Sequence, residues 1–396
     1  MPKRTIEDIE VKGKKVLLRV DFNVPLNRNT GAISDDSRIR ASLLTVKYLV
    51  DHKAKVIICS HLGRPEGKVI KNLRMAPIAE RLSQLMDLPV SMASDCIGQE
   101  VESKVKKLKE GDILVLENLR FHPEEEANDA VFAQKLARLA DIYVNDAFGT
   151  AHRAHASTVG VAEYLPAVAG FLMNKELNAL EKLLHNPERP SACLIGGAKV
   201  SDKIELLQNM LKKVDVLLVG GGMAATFLKA QGHEVGRSLV EDDKLGLAKK
   251  LLQEAREWGV PFLLPMDAVV TEKIRVGAPT RVVAITNIPA GSHIVDIGPK
   301  SIELFYDELR KCRTIMWNGP MGIYEIPQFG QGTKSIARFL STLSATTIIG
   351  GGSSAEVVQA MGLTTKMTHV STGGGASLRF LEGVALPGVK VLLDKK

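Results

Sequence analysis

The sequence predicts an α/β protein built from two doubly wound parallel sheets covered by helices. Three observations lead to this fold class. Short apolar runs with strand character alternate with longer runs of helical periodicity, which is typical of βαβ units. About ten such strands occur, too many for one compact unit in 396 residues. A helical stretch near the middle, closed by Pro187 and Pro190, forms a natural connector.

The predicted elements follow one another in a regular order. Strand candidates before the connector are 15–22, 55–60, 112–118 and 141–148. The connector is LMNKELNALEKLLHNP, at 172–187. Strand candidates after it are 192–197, 214–222, 261–270, 314–319, 346–352 and 367–375. Helical patterns such as SRIRASLLTVKYLVDH and SDKIELLQNMLKKV fill many of the gaps, so we expect one domain on each side of the connector.

Composition narrows the choice of partner. A net charge of +7, from 52 basic and 45 acidic residues, suits an anionic small molecule as well as a nucleic acid. A nucleic-acid binder would interleave aromatic side chains with a basic run. Aromatic residues are only 5% of the chain and no such run occurs, so we expect a small-molecule partner and no nucleic acid.

Cysteine spacing and apolar stretches bear on the cellular setting. The four cysteines lie far apart in sequence, so no zinc or redox pair is predicted and buried free thiols are expected. The N-terminal segment lacks an apolar signal-peptide core. The longest apolar stretch, 161–173, contains Glu163 and Pro166 and is shorter than the roughly 20 residues that a spanning helix needs. We therefore expect a cytoplasmic protein without a membrane partner.

Glycine clusters follow apolar runs throughout the second half. The pattern occurs as LIGGAKVSDKI, LLVGGGMAATF, IIGGGSSAEVV and VSTGGGASLRF. At the carboxyl ends of parallel strands such turns let backbone N–H groups approach a phosphate, although one cluster alone is more often a tight strand–helix turn. Residues 220–225 and 350–355 also match G-x-G-x-x-G/A, which keeps an NAD-dependent dehydrogenase open. The Walker A pattern of a P-loop NTPase is absent.

The first half carries cations instead. They fall at strand candidates or in the loops between: Arg38, His61, Arg64, Arg120, His152 and Arg153. Arginine holds phosphate or carboxylate through two parallel hydrogen bonds, whereas each cation taken singly is typical of a solvated surface. Asp21 and Asn23 follow the first strand, a position suited to gripping a hydroxylated ligand; for Asp21 a cap or turn carboxylate is the alternative.

Eight motifs, in order along the chain, resemble those of phosphoglycerate kinases: RVDFNVPL, HLGRP, ENLRF, NDAFGTAHRAHAS, GGAKVSDKI, GGGMA, WNGPMGIYE and HVSTGGGASL. The resemblance implies reversible phosphoryl transfer between 1,3-bisphosphoglycerate and ADP, giving 3-phosphoglycerate and ATP, with Mg²⁺ and by a monomer. It also implies two Rossmann-like lobes. The N-terminal lobe would comprise 1–171 and 380–396, the hinge helix 172–187, and the C-terminal lobe 188–379.

The same resemblance implies roles for individual residues. The triose substrate would contact Asp21, Asn23, Arg38, His61, Arg64, Arg120, His152 and Arg153. The nucleotide would contact Gly197, Ala198, Lys203, Gly221, Gly222, Asn318, Pro320, Glu325, Gly350, Gly351, Gly352, Ser353 and Ser354. The catalytic group would be Arg38, Lys199, Lys203, Gly373 and Gly374.

The two lysines of GGAKVSDKI are spaced four residues apart. That spacing predicts that Lys199 and Lys203 share one helix face, and a solvated helix face is the alternative to a catalytic role. A migrating phosphoryl group spreads negative charge over three oxygens, so the protein needs positioned cations rather than a covalent intermediate. We expect Arg38 to complete this group when the lobes close on both substrates and exclude water.

Three positions depart from the family pattern. Ser353 stands where the family has the acidic Mg²⁺ ligand, so no metal ligand is certain and an altered Mg²⁺ affinity is expected. Ser353 and Glu356 also fit an S-x-x-E capping box. Ile294 replaces a glycine near the expected adenine slot, and Ala225 stands where a larger residue is common. We expect the small side chain of Ala225 to leave room for that of Ile294, and the change at 294 to affect which nucleotide base is preferred.

Overall fold

The computed structural model describes residues 2–27 and 30–395, and the chain divides into two units. Unit 1 comprises Met1–Asn178 and Ala385–Lys396, and unit 2 comprises Ala179–Val384. Each unit contains a six-stranded parallel sheet covered by helices, which confirms the predicted fold class.

The sheet of unit 1 has the order β3-β4-β2-β1-β5-β6. Its strands are β1 (Lys15–Arg19), β2 (Lys55–Cys59), β3 (Val90–Met92), β4 (Ile113–Val115), β5 (Ile142–Asn145) and β6 (Ala167–Ala169). Val16 of β1 pairs in parallel register with Val56 and Ile142. The central strands are buried, which explains their nearly continuous apolar runs. β3 and β6 are only three residues long and were not predicted from the sequence.

Helices cover this sheet. They are α1 (Ser37–Asp51), α2 (Ala76–Met86), α3 (Gln99–Lys107), α4 (Pro123–Glu126), α5 (Ala130–Ala137) and α6 (Phe171–His185). Ile39, Val46 and Leu49 of α1 are fully buried and join the strand side chains in one core. Helix α6 corresponds to the predicted connector, and the boundary between the units at 178/179 falls within it.

Unit 2 contains two sheets. Its strands are β7 (Ser191–Ile195), β8 (Val216–Val219), β9 (Phe262–Leu263), β10 (Asp267–Thr271), β11 (Arg281–Ala284), β12 (His293–Ile297), β13 (Thr314–Asn318), β14 (Thr346–Gly350) and β15 (His369–Val370). The parallel sheet has the order β15-β14-β13-β7-β8-β9, and β11-β10-β12 form a separate antiparallel sheet. The prediction of a single strand at 261–270 is wrong. It is two strands of different sheets, separated at Pro265, which cannot donate to a ladder.

The helices of unit 2 are α7 (Ile204–Leu211), α8 (Met223–Ala230), α9 (Leu245–Glu257), α10 (Pro299–Leu309), α11 (Gln331–Leu340), α12 (Gly352–Ala360) and α13 (Gly375–Leu381). The chain then returns to unit 1 through α14 (Pro387–Lys390). There the Gly388 N–H donates to the Ala151 carbonyl (2.8 Å), and the Leu393 N–H donates to the Ala167 carbonyl (2.9 Å). The C-terminal segment is thus hydrogen-bonded into unit 1.

Two further predictions can be compared with the fold. All four cysteines are free and buried, as expected from their spacing. Among the residues that the structure describes, no helix combines the length and the apolar character needed to cross a bilayer.

Candidate functional site

The residues predicted to bind the triose gather at one edge of the unit 1 sheet. Seven of them lie beyond the carboxyl ends of β1, β2, β4 and β5: Asp21, Asn23, His61, Arg64, Arg120, His152 and Arg153. These four strands are neighbours, so their carboxyl ends meet, as they do at ligand sites of open α/β sheets. Arg38 joins them from the first turn of α1, not from a loop.

Asp21 is the buried acid of this edge. It is 8% exposed, and its Oδ2 accepts a charge-assisted hydrogen bond from Arg38 Nη1. A Cβ on Gly149 would overlap the same carboxylate, so only glycine allows this close approach. Gly149 was not predicted as a site residue, although it lies in the motif NDAFGTAHRAHAS.

Arg120 is held in place by backbone contacts. Its Nη1 donates to the Gly63 carbonyl (2.9 Å), and the Gly63 N–H donates to Asn23 Oδ1 (2.8 Å). Asn118, which was not predicted, caps the same turn because its Oδ1 accepts from the N–H groups of Leu62 and Arg120 at 3.1 Å each. The loop after β2 is therefore braced by the ends of β1 and β4.

The remaining cations differ in how far they are engaged. Arg120 Nε lies 3.3 Å from Glu126 Oε1, and Arg153 Nη1 lies 4.0 Å from the same oxygen. Arg153 Nε also donates to His152 Nε2 at 3.3 Å. Arg64 is exposed and has no hydrogen bond or ion pair with the residues that the structure describes. One carboxylate thus serves two arginines, and Arg64 is left available.

A buried hydrogen-bond network that was not predicted from the sequence lies at the same edge. Arg19 is 1% exposed, its Nε donates to Ser157 Oγ (2.9 Å), and its Nη2 lies 3.3 Å from His61 Nδ1. Glu125 accepts from the Ser157 N–H (2.9 Å) and hydroxyl (2.6 Å). Burial, reinforced by the charge of Arg19, lowers the pKa of His61 well below its usual value. The imidazole is therefore neutral, and its 3.9 Å separation from Asp21 is not a salt bridge.

In unit 2, the glycine turns after β7, β8 and β13 pack backbone against backbone. The Gly197 N–H donates to the Pro320 carbonyl (3.0 Å), and the Gly221 N–H donates to the Met321 carbonyl (3.1 Å). Gly221 has a φ of +68°, and a Cβ there would lie 2.6 Å from the Gly197 nitrogen. Glycine at position 221 is therefore required for the packing of these turns.

Other glycines face open space. A Cβ added to Gly197, Gly352 or Gly374 would meet no described atom within 4 Å. Backbone at such positions is open to close approach by a ligand. The Gly373 N–H, in contrast, is already occupied by Ser371 Oγ (3.1 Å).

Lys199 and Lys203 do not share a helix face, so that prediction is wrong. The chain first crosses the packed glycine turn, and the α-helix begins only at Ile204. Lys199 lies in the turn and is exposed, whereas Lys203 ends a short 3-10 helix and donates to Asn318 Oδ1. Burial lowers the pKa of Lys203, while the charge of Glu382 acts in the opposite direction.

Asn318 presents an unpaired donor. The residue is fully buried, and its Nδ2 has no hydrogen-bond partner among the described residues. Cβ atoms on Gly350 and Gly351 would lie 3.2 Å from this nitrogen, so it faces the turn after β14. A buried donor without a partner costs about 1–3 kcal/mol, which a ligand or water oxygen at this turn would offset.

The predicted capping box at Ser353 and Glu356 is also wrong. Helix α12 begins at Gly352, its N-cap is Gly351, and no side chain caps it, because Ser353 already lies in the first turn. The Tyr324 hydroxyl instead donates to Glu356 Oε2 (2.9 Å), and the Ser353 hydroxyl also hydrogen-bonds to Tyr324.

Four further predicted nucleotide contacts lie at the same edge of the unit 2 sheet. Ser354 Oγ accepts from the Gly319 N–H at 2.7 Å and so supports the turn after β13. Ala198 and Glu325 are exposed, and Gly222 packs beside Ala198. All four lie in turns at, or helices that follow, the carboxyl ends of β7, β8, β13 and β14.

The family model described as phosphoglycerate kinase matches residues 6–384. The chain belongs to the phosphoglycerate kinase family. Phosphoglycerate kinases of Dictyoglomus turgidum and Pelotomaculum thermopropionicum are 57% and 56% identical to it, with 100% of each chain covered. Among solved structures, the phosphoglycerate kinase from Coxiella burnetii matches with a TM-score of 0.89 at 40% identity, and that from Pyrococcus horikoshii OT3 with 0.85 at 34%. Each match covers 98% of both chains.

Membership of the phosphoglycerate kinase family establishes the activity. The chain is a phosphotransferase with a carboxyl group as acceptor, and it transfers a phosphoryl group reversibly between 1,3-bisphosphoglycerate and ADP in glycolysis. The dehydrogenase alternative is thereby excluded. The match at 220–225 owes its glycines to the packed turns described above.

Two departures from the phosphoglycerate kinase pattern lie in one apolar cluster of unit 2. Ile294 of β12 packs against the cluster formed by Ala225, Leu228 and Val235. A small side chain at 225 thus accompanies a large one at 294, which fits the expected pairing. An effect of Ile294 on base preference stays a prediction.

Proposed function

We propose that unit 1 binds 3-phosphoglycerate or 1,3-bisphosphoglycerate at the carboxyl edge of its sheet, and that unit 2 binds ADP or ATP at its glycine turns. The observation that carries this assignment is the difference in residue type between the two edges. The edge of unit 1 gathers four arginines of the predicted set, whereas the corresponding edge of unit 2 is built from glycine turns and two lysines. Two polyanionic substrates repel each other, so separate sites suit this reaction.

Different residues of unit 1 suit different parts of the triose. Arg64, with no partner among the described residues, is free to hold a phosphate. Asp21 is suited to accept hydrogen bonds from a substrate hydroxyl. Asp21 also orients Arg38, so that the positively charged guanidinium is placed to face the reacting carboxyl-phosphate. Neutral His61 donates or accepts a hydrogen bond without adding charge.

In unit 2, Lys203 and Asn318 form a pair suited to phosphate oxygens. Lys203 holds the Asn318 amide so that its unpaired Nδ2 points toward the turn after β14. The Lys203 ammonium is largely desolvated, so its attraction for an anion is stronger than that of a surface lysine. Exposed Lys199 is free to follow the phosphoryl group as it moves. We propose that these groups stabilise an in-line transfer when the two units close.

Mg²⁺ would enter with the nucleotide. At the turn after β14 the protein offers the Ser353 hydroxyl, already bonded to Tyr324, and the nearest carboxylate of that helix, Glu356, is also held by Tyr324. This donor set does not make a magnesium site, which normally includes one or two carboxylates with substrate phosphates and water. We therefore propose that phosphates and water hold the ion. We further propose a cytoplasmic monomer.

The decisive experiment is a coupled assay of ATP-dependent phosphorylation of 3-phosphoglycerate over a range of Mg²⁺ concentrations. The variant Arg38→Ala should lower kcat by about 100-fold or more, because one donor to developing charge is lost. Arg40→Ala is the matched control, since Arg40 lies on the same helix but pairs with Asp36 at the surface. Equal losses in both variants would contradict the proposed site.

A further inference from the structure

The described part of the chain contains one group of three histidine, cysteine and carboxylate ligands within reach of a single ion. Its members are Asp95, Cys96 and His122, whose ligand atoms all lie within 4.8 Å of one another. Asp95 and Cys96 come from the loop between β3 and α3, and His122 immediately precedes α4. Because these residues are distant in sequence, the spacing of the cysteines does not reveal the group.

Existing contacts hold these ligands together. His122 Nε2 lies 2.7 Å from Asp95 Oδ1, and the same oxygen accepts from the Cys96 N–H at 2.6 Å. The Glu117 N–H donates to the Asp95 carbonyl at 3.3 Å, and the His122 ring lies 5.3 Å from that of Phe132. Little ordering is therefore needed when an ion arrives.

We propose that Asp95, Cys96 and His122 bind one Zn²⁺ ion, with water as the fourth ligand. Thiolate, imidazole and carboxylate are the three ligand types that zinc uses, whereas a thiolate disfavours Mg²⁺ and Ca²⁺. Tetrahedral zinc sets its nitrogen and oxygen ligands about 3.3 Å apart. The His122 and Asp95 atoms, now 2.7 Å apart, need to separate by only about 0.6 Å to meet that spacing.

The exposure of the ligands provides a path for the ion. The side chains of Asp95 and His122 are 46% and 24% exposed, while Cys96 is buried. An ion reaches the site from solvent and the thiolate closes it from the protein side. On binding, the sulfur–zinc bond replaces the S–H bond, and the proton shared by His122 and Asp95 also leaves to the buffer.

Zinc would link two loops of unit 1. One joins β3 to α3, and the other continues from Arg120, two residues before His122. An ion that binds the folded but not the unfolded chain raises its stability, and the effect grows with zinc concentration. No step of phosphoryl transfer requires this ion, so the inference stands apart from the proposed function.

The test uses the full-length protein, treated with chelator and free of nucleotide. ZnCl₂ is titrated calorimetrically, and CoCl₂ is titrated while the thiolate-to-cobalt charge-transfer band is recorded in the near ultraviolet. We expect one ion per chain, a thiolate band and a higher Tm with zinc. Cys96→Ser and His122→Gln should each lower zinc affinity by about 100-fold, and Cys96→Ser should abolish the band.

Cys312→Ser and His52→Gln are the controls, since they remove a thiol and an imidazole elsewhere and should leave affinity and spectrum unchanged. Cobalt binding without a thiolate band would overturn the proposal, as would a Cys96→Ser variant with undiminished zinc affinity. If Cys96→Ser fails to fold, the zinc affinity of His122→Gln decides the question, because His122 is partly exposed. An unchanged zinc affinity in that variant would also overturn the proposal. Turnover of the zinc-free enzyme is measured separately and should equal that of the zinc-bound enzyme, because no step of phosphoryl transfer requires this ion.

Discussion

At the scale of single residues, Lys203 and Lys199 differ in burial, so their substitutions are expected to lower kcat to different extents. Lys203→Met removes a desolvated ammonium and leaves Asn318 without its partner, so we expect kcat to fall by about 100- to 1000-fold. Lys199→Met removes an exposed cation, so a smaller loss is expected. Steady-state kinetics on both variants check this.

Lys249→Met is the control for these variants, because Lys249 is an exposed lysine of α9 in the same unit. It should retain full activity. Circular dichroism verifies that Lys203→Met is folded. A folded Lys203→Met enzyme with unaltered kcat would contradict the role assigned to the Lys203–Asn318 pair.

Ser353 permits a test of how the metal is held. Ser353→Asp places a carboxylate in the first turn of α12, beside the open backbone of Gly352, where an anionic oxygen can ligate Mg²⁺. We expect the Mg²⁺ concentration at half-maximal activity to fall by several-fold. Ser353→Asn introduces a side chain of the same shape as aspartate but without the charge, and it should leave this Mg²⁺ concentration unchanged. Superimposable Mg²⁺ titrations of wild type and Ser353→Asp would remove the idea.

The sequence revealed the charged residues of the candidate site better than the buried groups that support them. The cations beyond β1, β2, β4 and β5 could be predicted because strand ends are readable from apolar runs. Arg19 was missed because an arginine inside a strand reads as a surface position. Its burial depends on Ser157, which is distant in sequence and meets it only in the folded chain.

At the scale of secondary-structure elements, long apolar runs were predictable and short or mixed ones were not. β1 and β13 are buried five-residue strands that the periodicity predicts. β11 is largely exposed, so it shows no continuous buried pattern. The lysine pair failed for a related reason, since the glycine turn that delays α7 is fixed by tertiary packing against the turn after β13.

Helix α6 starts at a buried acid, which predicts a pH dependence of stability. Asp146 Oδ1 accepts from the Met173 N–H at 3.1 Å, while its Oδ2 has no partner among the described residues by hydrogen-bond geometry. Burial raises the pKa of Asp146 to about 6. Between about pH 4 and pH 6 the folded state therefore binds more protons than the unfolded state, so this group's contribution to stability is lost as pH rises.

Asp146→Asn mimics the protonated acid and should flatten this dependence. The free energy of unfolding of the variant minus that of wild type should become more positive from pH 4 to pH 7, by up to about 3 kcal/mol. Urea unfolding followed by circular dichroism at both pH values measures the difference. Asp307→Asn, at an exposed position of α10, is the control. His155, whose pKa burial lowers to about 4, acts in the opposite direction but is present in both proteins and cancels. If the free energies of unfolding of wild type and Asp146→Asn differ by the same amount at both pH values, Asp146 is not the source of this pH dependence.

At the scale of the whole molecule, the separation of the candidate cations and the glycine clusters into different halves was readable from the sequence. Cations cluster before the connector and glycine clusters follow it, and each set lies at the carboxyl edge of its own sheet. The predicted connector at 172–187 contains the division between the units at 178/179, and the chain returns to unit 1 at 384/385 where the prediction placed the return at 380. The exact position of such a boundary depends on which residues pack against each segment, and the local apolar pattern does not show that.

Closure of the two units is the prediction that belongs to this scale. Phosphoryl transfer requires the two bound substrates to meet with water excluded, and in the proposed assignment each substrate alone occupies only one unit. We expect the radius of gyration from small-angle scattering to decrease when 3-phosphoglycerate and a non-hydrolysable ATP analogue are both present, and to change less with either alone. Lys203→Met should weaken the response to both ligands, since it lowers attraction for the phosphates, whereas Lys249→Met should respond as wild type does. A radius that is the same without ligands and with both bound, at concentrations shown to saturate each site, would mean that transfer does not depend on closure.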